Sequence, residues 1–387
     1  MHILEVPSFF QPHGGLFCLE QAKALKNLGH EVRIMTNVQL GITVELHDYF
    51  MLPCRRYEYE MDGITIYQSY QRGLPKVIQF NVKRWVAIVR SMFAEYVKKY
   101  GRPDIIHAHC AKWAGYAAML ISREYGIPYV ITEHLSKTIF DDEFRLVGNT
   151  PWQVPLLTEA YQHAAKLLSV SDELPERLAV YFGKNYQWET VSNIVDTNFY
   201  QYRQRKPLQG RTFRFCCLAN YIPLKGYDIL FSAFRTLREK GLNVELHIAG
   251  RGTDTADCRS QLTDGMLTYG LIDKQTVREL LYTSDALVLA SRSEAQPLVL
   301  LEAMSTGIPV VSTEVIPQNL RLNDGCFIVP VDDANALADA MEHVVNTSID
   351  GQLLSQQVAQ LASARVVGEK LVKVFREAVA DTTPHNA

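Results

Sequence analysis

Two glutamates carry the most specific chemistry in this sequence. Glu294 and Glu302 lie within SRSEAQPLVLLEAMSTGIPVVST, residues 291–313. Pro297 suits the first position of a helix, where a missing N–H costs nothing. Leu298, Val299, Leu301 and Met304 then make an apolar stripe, and Gly307 stands where a helix would end in a left-handed residue. Pro309 blocks continuation, and Val310-Val311-Ser312 reads as a buried strand. Glu294 therefore falls in the loop before the helix and Glu302 about one and a half turns inside it. A helix start attracts anions through its free N–H groups and dipole. Two carboxylates beside such a start suit a ligand that is both phosphate and polyol.

Other residues with chemical potential cluster at expected strand ends. Gly14-Gly15 separates a first strand from a helix, as either a tight turn or a close backbone approach to a phosphate. Lys225 lies in a strand-to-helix loop. Gly250-Arg251-Gly252 is a G-x-G, but position 255 is Thr255 and no clean helix is expected to start there, so a nicotinamide site is discounted. His107 and His109 share one strand face, and the next strand ends in Glu133-His134. Three histidines at strand ends are able to ligate zinc, but they lack regular spacing and cysteine partners. A satisfied or substrate-facing role fits them better.

The elements that must position these residues follow a recurring phrase: a helical stripe ends at a glycine and a Val/Ile-rich strand follows. It occurs at Gly29, Gly126, Gly241 and Gly307. Strands too apolar to alternate belong to a parallel sheet covered on both faces, whose ligands bind outside the carboxyl ends. The 387 residues suffice for two or three domains. A polar stretch, QYRQRKPLQG, places a linker and domain boundary near 200–210. The expected division is 1–203, 204–364, and a C-terminal helix over 365–387 packing back on the first domain. Helices are expected over 82–100, 277–282, 334–345 and 356–379, whereas 39–85 is less regular and rich in tyrosine.

Composition excludes several classes. A net charge of −3 argues against a dedicated nucleic-acid binder. Seven scattered cysteines without a CxxC pair fit a reducing compartment and no disulfide framework. No apolar run reaches the roughly 18 residues that span a bilayer, and MHILEVPSFF reads as a strand rather than a signal peptide. The expectation is a cytoplasmic protein. Between 51 and 100, nine Lys/Arg face four acids, which makes either a solvated face or one for an anionic acceptor or lipid headgroups, leaving room for peripheral contact with the inner face of a membrane.

Seven signals in register carry a resemblance: GG-x4-E (Gly14, Gly15, Glu20), LGHEV (28–32), PDIIHAH (103–109), PYVITEH (128–134), SNIVD (192–196), LKG (224–226) and SRSE-x7-E-AM-x2-G-x-PVV (291–311). Together they resemble the retaining glycosyltransferases of family 4. The resemblance implies an α/β GT-B fold, two Rossmann-like parallel-sheet domains facing across a cleft. It implies transfer of a sugar from a UDP- or GDP-sugar to a saccharide or lipid-linked saccharide, in surface polysaccharide or glycan biosynthesis, without a metal or other cofactor. The alternatives are an epimerase or hydrolase of nucleotide sugars, or a catalytically idle sugar-nucleotide-binding subunit.

By the same resemblance, Glu302 would accept from ribose hydroxyls, Glu294 would bind hydroxyls of the transferred sugar, and Lys225 would neutralise the leaving diphosphate beside the helix start at Leu298 and Val299. Gly14 and Gly15 would bring backbone N–H groups to the phosphates. His134 would line the reacting sugar, with His109 and His13 supporting that wall or the acceptor. A front-face route is implied, in which the leaving phosphate helps take the acceptor's proton. Two departures stand out. Many relatives have arginine where this chain has Asn220, so that Arg251 or Arg292 must supply the charge, and Ala295-Gln296-Pro297 replaces a Gly-Phe-Gly loop, with the Gln296 amide as a substitute donor.

Overall fold

The computed structural model describes residues 1–12, 14–42, 46–144, 151–205, 210–322 and 324–382, with the backbone alone at 143 and 382. His13, residues 206–209 of the expected linker and the last five residues lie outside this set. The chain divides into two units, Met1–Ile194 with Ala364–Ala387, and Val195–Ser363.

The first unit holds eight strands: β1 (His2–Pro7), β2 (Glu31–Leu40), β3 (Arg56–Met61), β4 (Ile64–Arg72), β5 (Ile105–His109), β6 (Tyr129–Glu133), β7 (Lys166–Ser169) and β8 (Trp188–Thr190). Their order is β3-β4-β2-β1-β5-β6-β7-β8, all parallel except the β3–β4 hairpin. The tyrosine-rich segment is thus more regular than its composition suggested, because alternation of buried and accessible residues along β4 seats it against β2. The helices are α1 (Leu16–Asn27), α2 (Leu46–Met51), α3 (Ile78–Tyr100), α4 (Tyr116–Tyr125), α5 (Lys137–Phe144), α6 (Gln153–Gln162) and α7 (Leu174–Phe182).

The second unit holds six parallel strands, β9 (Phe213–Leu218), β10 (Val244–Ala249), β11 (Met266–Thr268), β12 (Ala286–Leu289), β13 (Val310–Thr313) and β14 (Cys326–Val329), in the order β11-β10-β9-β12-β13-β14. Its helices are α8 (Tyr227–Glu239), α9 (Ala256–Ser260), α10 (Lys274–Thr283), α11 (Leu298–Ser305), α12 (Ala334–Val345) and α13 (Gly351–Ala362). The last helix, α14 (Ala364–Thr382), belongs to the first unit, where Val367, Leu371 and Phe375 join its core.

Three expectations need correction. The boundary falls at 194/195, because Val195 and Tyr200 sit in the second unit's core and the Arg205 guanidinium donates to the carbonyls of Leu281, Ser284 and Thr306. The expected helix over 356–379 is two helices, broken at Ser363 (ψ 152°), where the chain passes back to the first unit. A short helix, α9, does start after Thr255, whose hydroxyl accepts from Cys258 N.

Candidate active site

Each sheet reverses its direction of progression once, between β1 and β5 in the first unit and between β9 and β12 in the second. Loops leaving the strands at such a switch diverge to opposite faces and open a crevice at the carboxyl ends. Lys225 follows β9 and Glu294 follows β12, so strand order unites residues 69 apart. Lys225 Nζ donates to Glu294 Oε1 at 2.6 Å, and Ser291 Oγ donates to the same oxygen at 2.7 Å. The Glu294 side chain is 10% exposed and that of Lys225 is 23% exposed.

The surroundings hold this pair rigidly. Gly226 has φ +62°, and a Cβ there would lie 2.0 Å from the carbonyl oxygen of Ala290, which follows β12. Only glycine allows that approach. Arg292 N–H donates to Leu224 O at 2.8 Å, and its guanidinium bonds Pro223 O, Asp228 and Asp332. Arg292 therefore braces the lysine loop, and its donors are committed there rather than to a diphosphate. Asn220 Oδ1 accepts from Arg251 N at 3.1 Å and fixes the turn after β10. The Arg251 side chain is exposed, with no ion pair among the described residues.

Helix α11 begins one residue later than expected: Pro297 is its cap (φ −75°, ψ 102°) and Leu298 its first residue. Leu298 and Val299 are then the positions whose N–H groups have no intrahelical acceptor. Gly307, at φ +87°, terminates the helix as its position predicts. Gln296 is partly buried in the loop before the helix.

Glu302 has partners that pattern reading missed. Tyr200 bonds to it, and the Lys274 charge acts on it. Burial pushes its carboxyl up to about 7, against the opposing pull of Lys274 and Tyr200. Lys274 is itself held by Asp196 at 3.6 Å and lies over the Phe199 ring at 4.7 Å. A sequence signal existed: DTNFY follows SNIV and carries both Asp196 and Tyr200.

In the first unit, Gly14 (φ +125°) and Gly15 (φ +77°) follow β1, and a Cβ on Gly15 would lie 2.5 Å from Phe9 O. His109 ends β5. Its Nε2 is 2.6 Å from Glu5 Oε2, and its Nδ1 is 3.0 Å from His134 Nε2. Burial lowers the His109 pKa to about 4, despite Glu5. Burial opposes ionisation of Glu5, yet the His107 charge and the bonds from both histidines hold its carboxyl at about 2. A carboxylate accepting from His109 Nε2–H leaves Nδ1 as an acceptor, so His134 must present Nε2–H to it. Burial also holds His134 well below its usual range, and Phe17 stacks on it at 4.0 Å. Glu5 went unnoticed because a single carboxylate in an apolar strand has no spacing to read.

Glu5, His107 and His109 form a group geometrically able to hold a metal. Their facing atoms stand 2.8 and 2.6 Å apart, and His107 Nε2 meets Thr132 Oγ1 at 2.7 Å. Those distances are hydrogen-bond distances, and all three side chains are fully buried.

Two α/β units of Rossmann-like topology, each with its candidate residues at the sheet's switch point, have the architecture of the GT-B transferases. Solved structures share the fold: sucrose-phosphate synthase from Thermosynechococcus elongatus matches with TM-score 0.74 at 16% identity, over 98% of this chain and 100% of that one. Anabaena HepE in complex with UDP and glucose matches with TM-score 0.70 at 16% identity, over 97% and 99%. The family model described as Glycosyltransferase Family 4 matches residues 14–199, and that described as Glycosyl transferases group 1 matches 212–347. The chain belongs to the family 4 glycosyltransferases. Among relatives, phosphatidyl-myo-inositol mannosyltransferase of Mycolicibacterium smegmatis is 27% identical over 380 residues, covering 94% of this chain and 86% of that protein. N-acetyl-alpha-D-glucosaminyl L-malate synthase of Bacillus anthracis is 22% identical, covering 93% and 92%.

Proposed function

We propose that this glycosyltransferase acts with retention and without a metal, moving a sugar from a UDP- or GDP-sugar to a saccharide or lipid-linked saccharide acceptor during synthesis of a surface polysaccharide or glycan. The observation that carries the reading is the Lys225–Glu294–Ser291 cluster at a switch point beside the start of α11. The Lys225 ammonium rests on Glu294. A bound donor takes up both: the ammonium moves to the diphosphate, with the Arg251 side chain and the N–H groups of Leu298 and Val299 beside it. Glu294 then accepts from sugar hydroxyls. Charge that builds on the leaving diphosphate as the glycosidic bond breaks is met by these fixed donors. The leaving phosphate takes the proton of the acceptor hydroxyl on the same face, so configuration is kept. His134, kept neutral by burial and oriented through His109 and Glu5, lines the sugar or acceptor without adding a charge.

Binding should be tested first. UDP and GDP are screened for a rise in melting temperature, then donor turnover is followed with and without saccharide acceptors and with a chelator. Acceptor-dependent turnover indifferent to the chelator is expected. Equal turnover without acceptor would establish the hydrolase or epimerase reading instead, and loss of activity to the chelator would overturn metal independence.

Glu302 supplies a pH test. A ribose diol donates more strongly, and through both hydroxyls, to the ionised carboxylate, so binding lowers a pKa that stands at about 7 in the free protein. Donor binding then releases a proton below that value. Affinity for a UDP-sugar, whose diphosphate ester does not titrate near neutrality, should rise by up to about tenfold per pH unit up to pH 7 and level off above it. Calorimetric titration across that range checks this, and Glu302→Gln should flatten the profile.

A further inference from the structure

Asp196 closes the SNIVD segment and carries a carboxylate that the transfer chemistry above does not use. Its Oδ1 accepts from Phe199 N at 3.0 Å, and its carbonyl accepts from Tyr200 N at 2.8 Å. The residue thus ties down the turn that presents Tyr200. Its Oδ2 stands 3.6 Å from Lys274 Nζ. One short side chain therefore reaches both groups that act on Glu302, since Tyr200 bonds to that carboxyl and Lys274 brings a positive charge to it.

Lys274 is the first residue of α10, and aromatic faces hold it in place. Its ammonium lies over the Phe199 ring at 4.7 Å and the Tyr200 ring at 5.7 Å. Arg278, one turn further along α10, lies over Phe199 at 4.4 Å. Asp273 precedes Lys274, but its carboxylate caps the helix and accepts from Thr276 N at 2.7 Å. Among the described residues, Asp196 is the carboxylate that forms an ion pair with Lys274.

The other elements packed on α11 bring no charge to Glu302. They are β12, β13 and α13, whose sequences ALVL, VVST and GQLLSQQVAQLA hold no ionisable side chain. Within α11 the only ionisable residue is Glu302 itself. Glu294, in the loop before the helix, is turned onto Lys225 and Ser291. The charge that Glu302 feels comes from Lys274 and Tyr200, with Asp196 and Arg278 standing behind them.

We propose that Asp196 is a positioning residue of the donor site: it shares the Lys274 ammonium with Glu302 and so limits the positive charge that reaches the carboxylate receiving the ribose. This rests on the reading above in which Glu302 accepts from the ribose diol. A nearby cation favours an ionised carboxyl and burial opposes it. Asp196 decides how far the cation prevails. Full engagement of Lys274 by Glu302 would hold that carboxyl ionised through neutrality and erase the pH sensitivity of donor binding.

The test follows calorimetric binding of UDP-glucose and GDP-mannose to the full chain across the neutral range. The readout is the pH at which affinity stops rising. Asp196→Asn removes the charge but keeps an oxygen to cap Phe199 N, so Lys274 acts on Glu302 undivided and the break should move to lower pH. Asp196→Ser, which also retains a capping oxygen, should do the same. Lys274→Met should move the break to higher pH. Each displacement is expected to be about half a pH unit, because Lys274 is 52% exposed and solvent screens its charge. In a Glu302→Gln background none of these substitutions should restore or move a break. A purely structural role for Asp196 would lower affinity by one factor at every pH and leave the break in place, and that result would overturn the proposal. So would displacement of the Asp196 and Lys274 variants in the same direction. Both outcomes leave the donor reading standing. Failure of the unaltered protein to bind either nucleotide sugar, with no rise in melting temperature from UDP or GDP, would strike that reading and the proposal with it.

Discussion

Replacing Lys225 by alanine is expected to lower kcat for sugar transfer by about 10²–10³, the usual loss when one fixed charge-stabilising group is removed from a reaction that develops negative charge. Asn220 stands where many relatives have arginine, Arg292 is committed to Pro223, Asp228 and Asp332, and Arg251 is exposed. On the proposed reading Lys225 shares the diphosphate charge with the exposed Arg251 side chain. Its Nζ is 2.6 Å from Glu294, so Glu294→Ala should fall in the same range, and the double variant should lose far less than the product of the two effects. Steady-state kinetics with an identified donor checks this. A Glu294→Ala enzyme that consumed donor at the unaltered rate would refute the placement of the site.

Gly226→Ala is expected to lower the melting temperature of the second unit by roughly 10 °C, from about 3 kcal/mol at this domain size. Two costs combine: a side chain at φ +62°, and a Cβ 2.0 Å from Ala290 O, which is backbone and cannot swing aside. Gly241→Ala is the internal control, since it has φ +80° but nothing within 4 Å of the added carbon. It should cost about 1 kcal/mol, the conformational part alone. Thermal unfolding of the two variants separates backbone conformation from close approach. If both fell equally, the packing of the lysine loop on the end of β12 would not be what holds Lys225 in place.

The parts of the fold legible in the sequence were those set by neighbours along the chain. Gly29, Gly126, Gly241 and Gly307 all adopt positive φ, and a parallel strand follows each. That outcome needs only a local left-handed residue and a run of β-branched side chains. The helix that follows Glu294 and carries Glu302 was readable for the same reason, to within one residue at Pro297. Where composition alone was read, over 39–85, the hairpin was missed, because its regularity comes from pairing rather than from residue type.

What the sequence determined by itself is the set of turns, helix ends and apolar strands, and through them a parallel architecture with Lys225, Glu294, Gly15 and His109 all at carboxyl ends. Tertiary structure alone decided which of these meet. Glu5 and His109 are 104 residues apart and bond because β1 lies beside β5; Lys225 reaches Glu294 because β9 lies beside β12. Strand order is chosen by how whole helices bury their faces against a sheet, a sum over many distant contacts that no single stretch of sequence records. The same cause put Tyr200 beside Glu302 and moved the domain boundary ahead of the polar segment that looked like a linker.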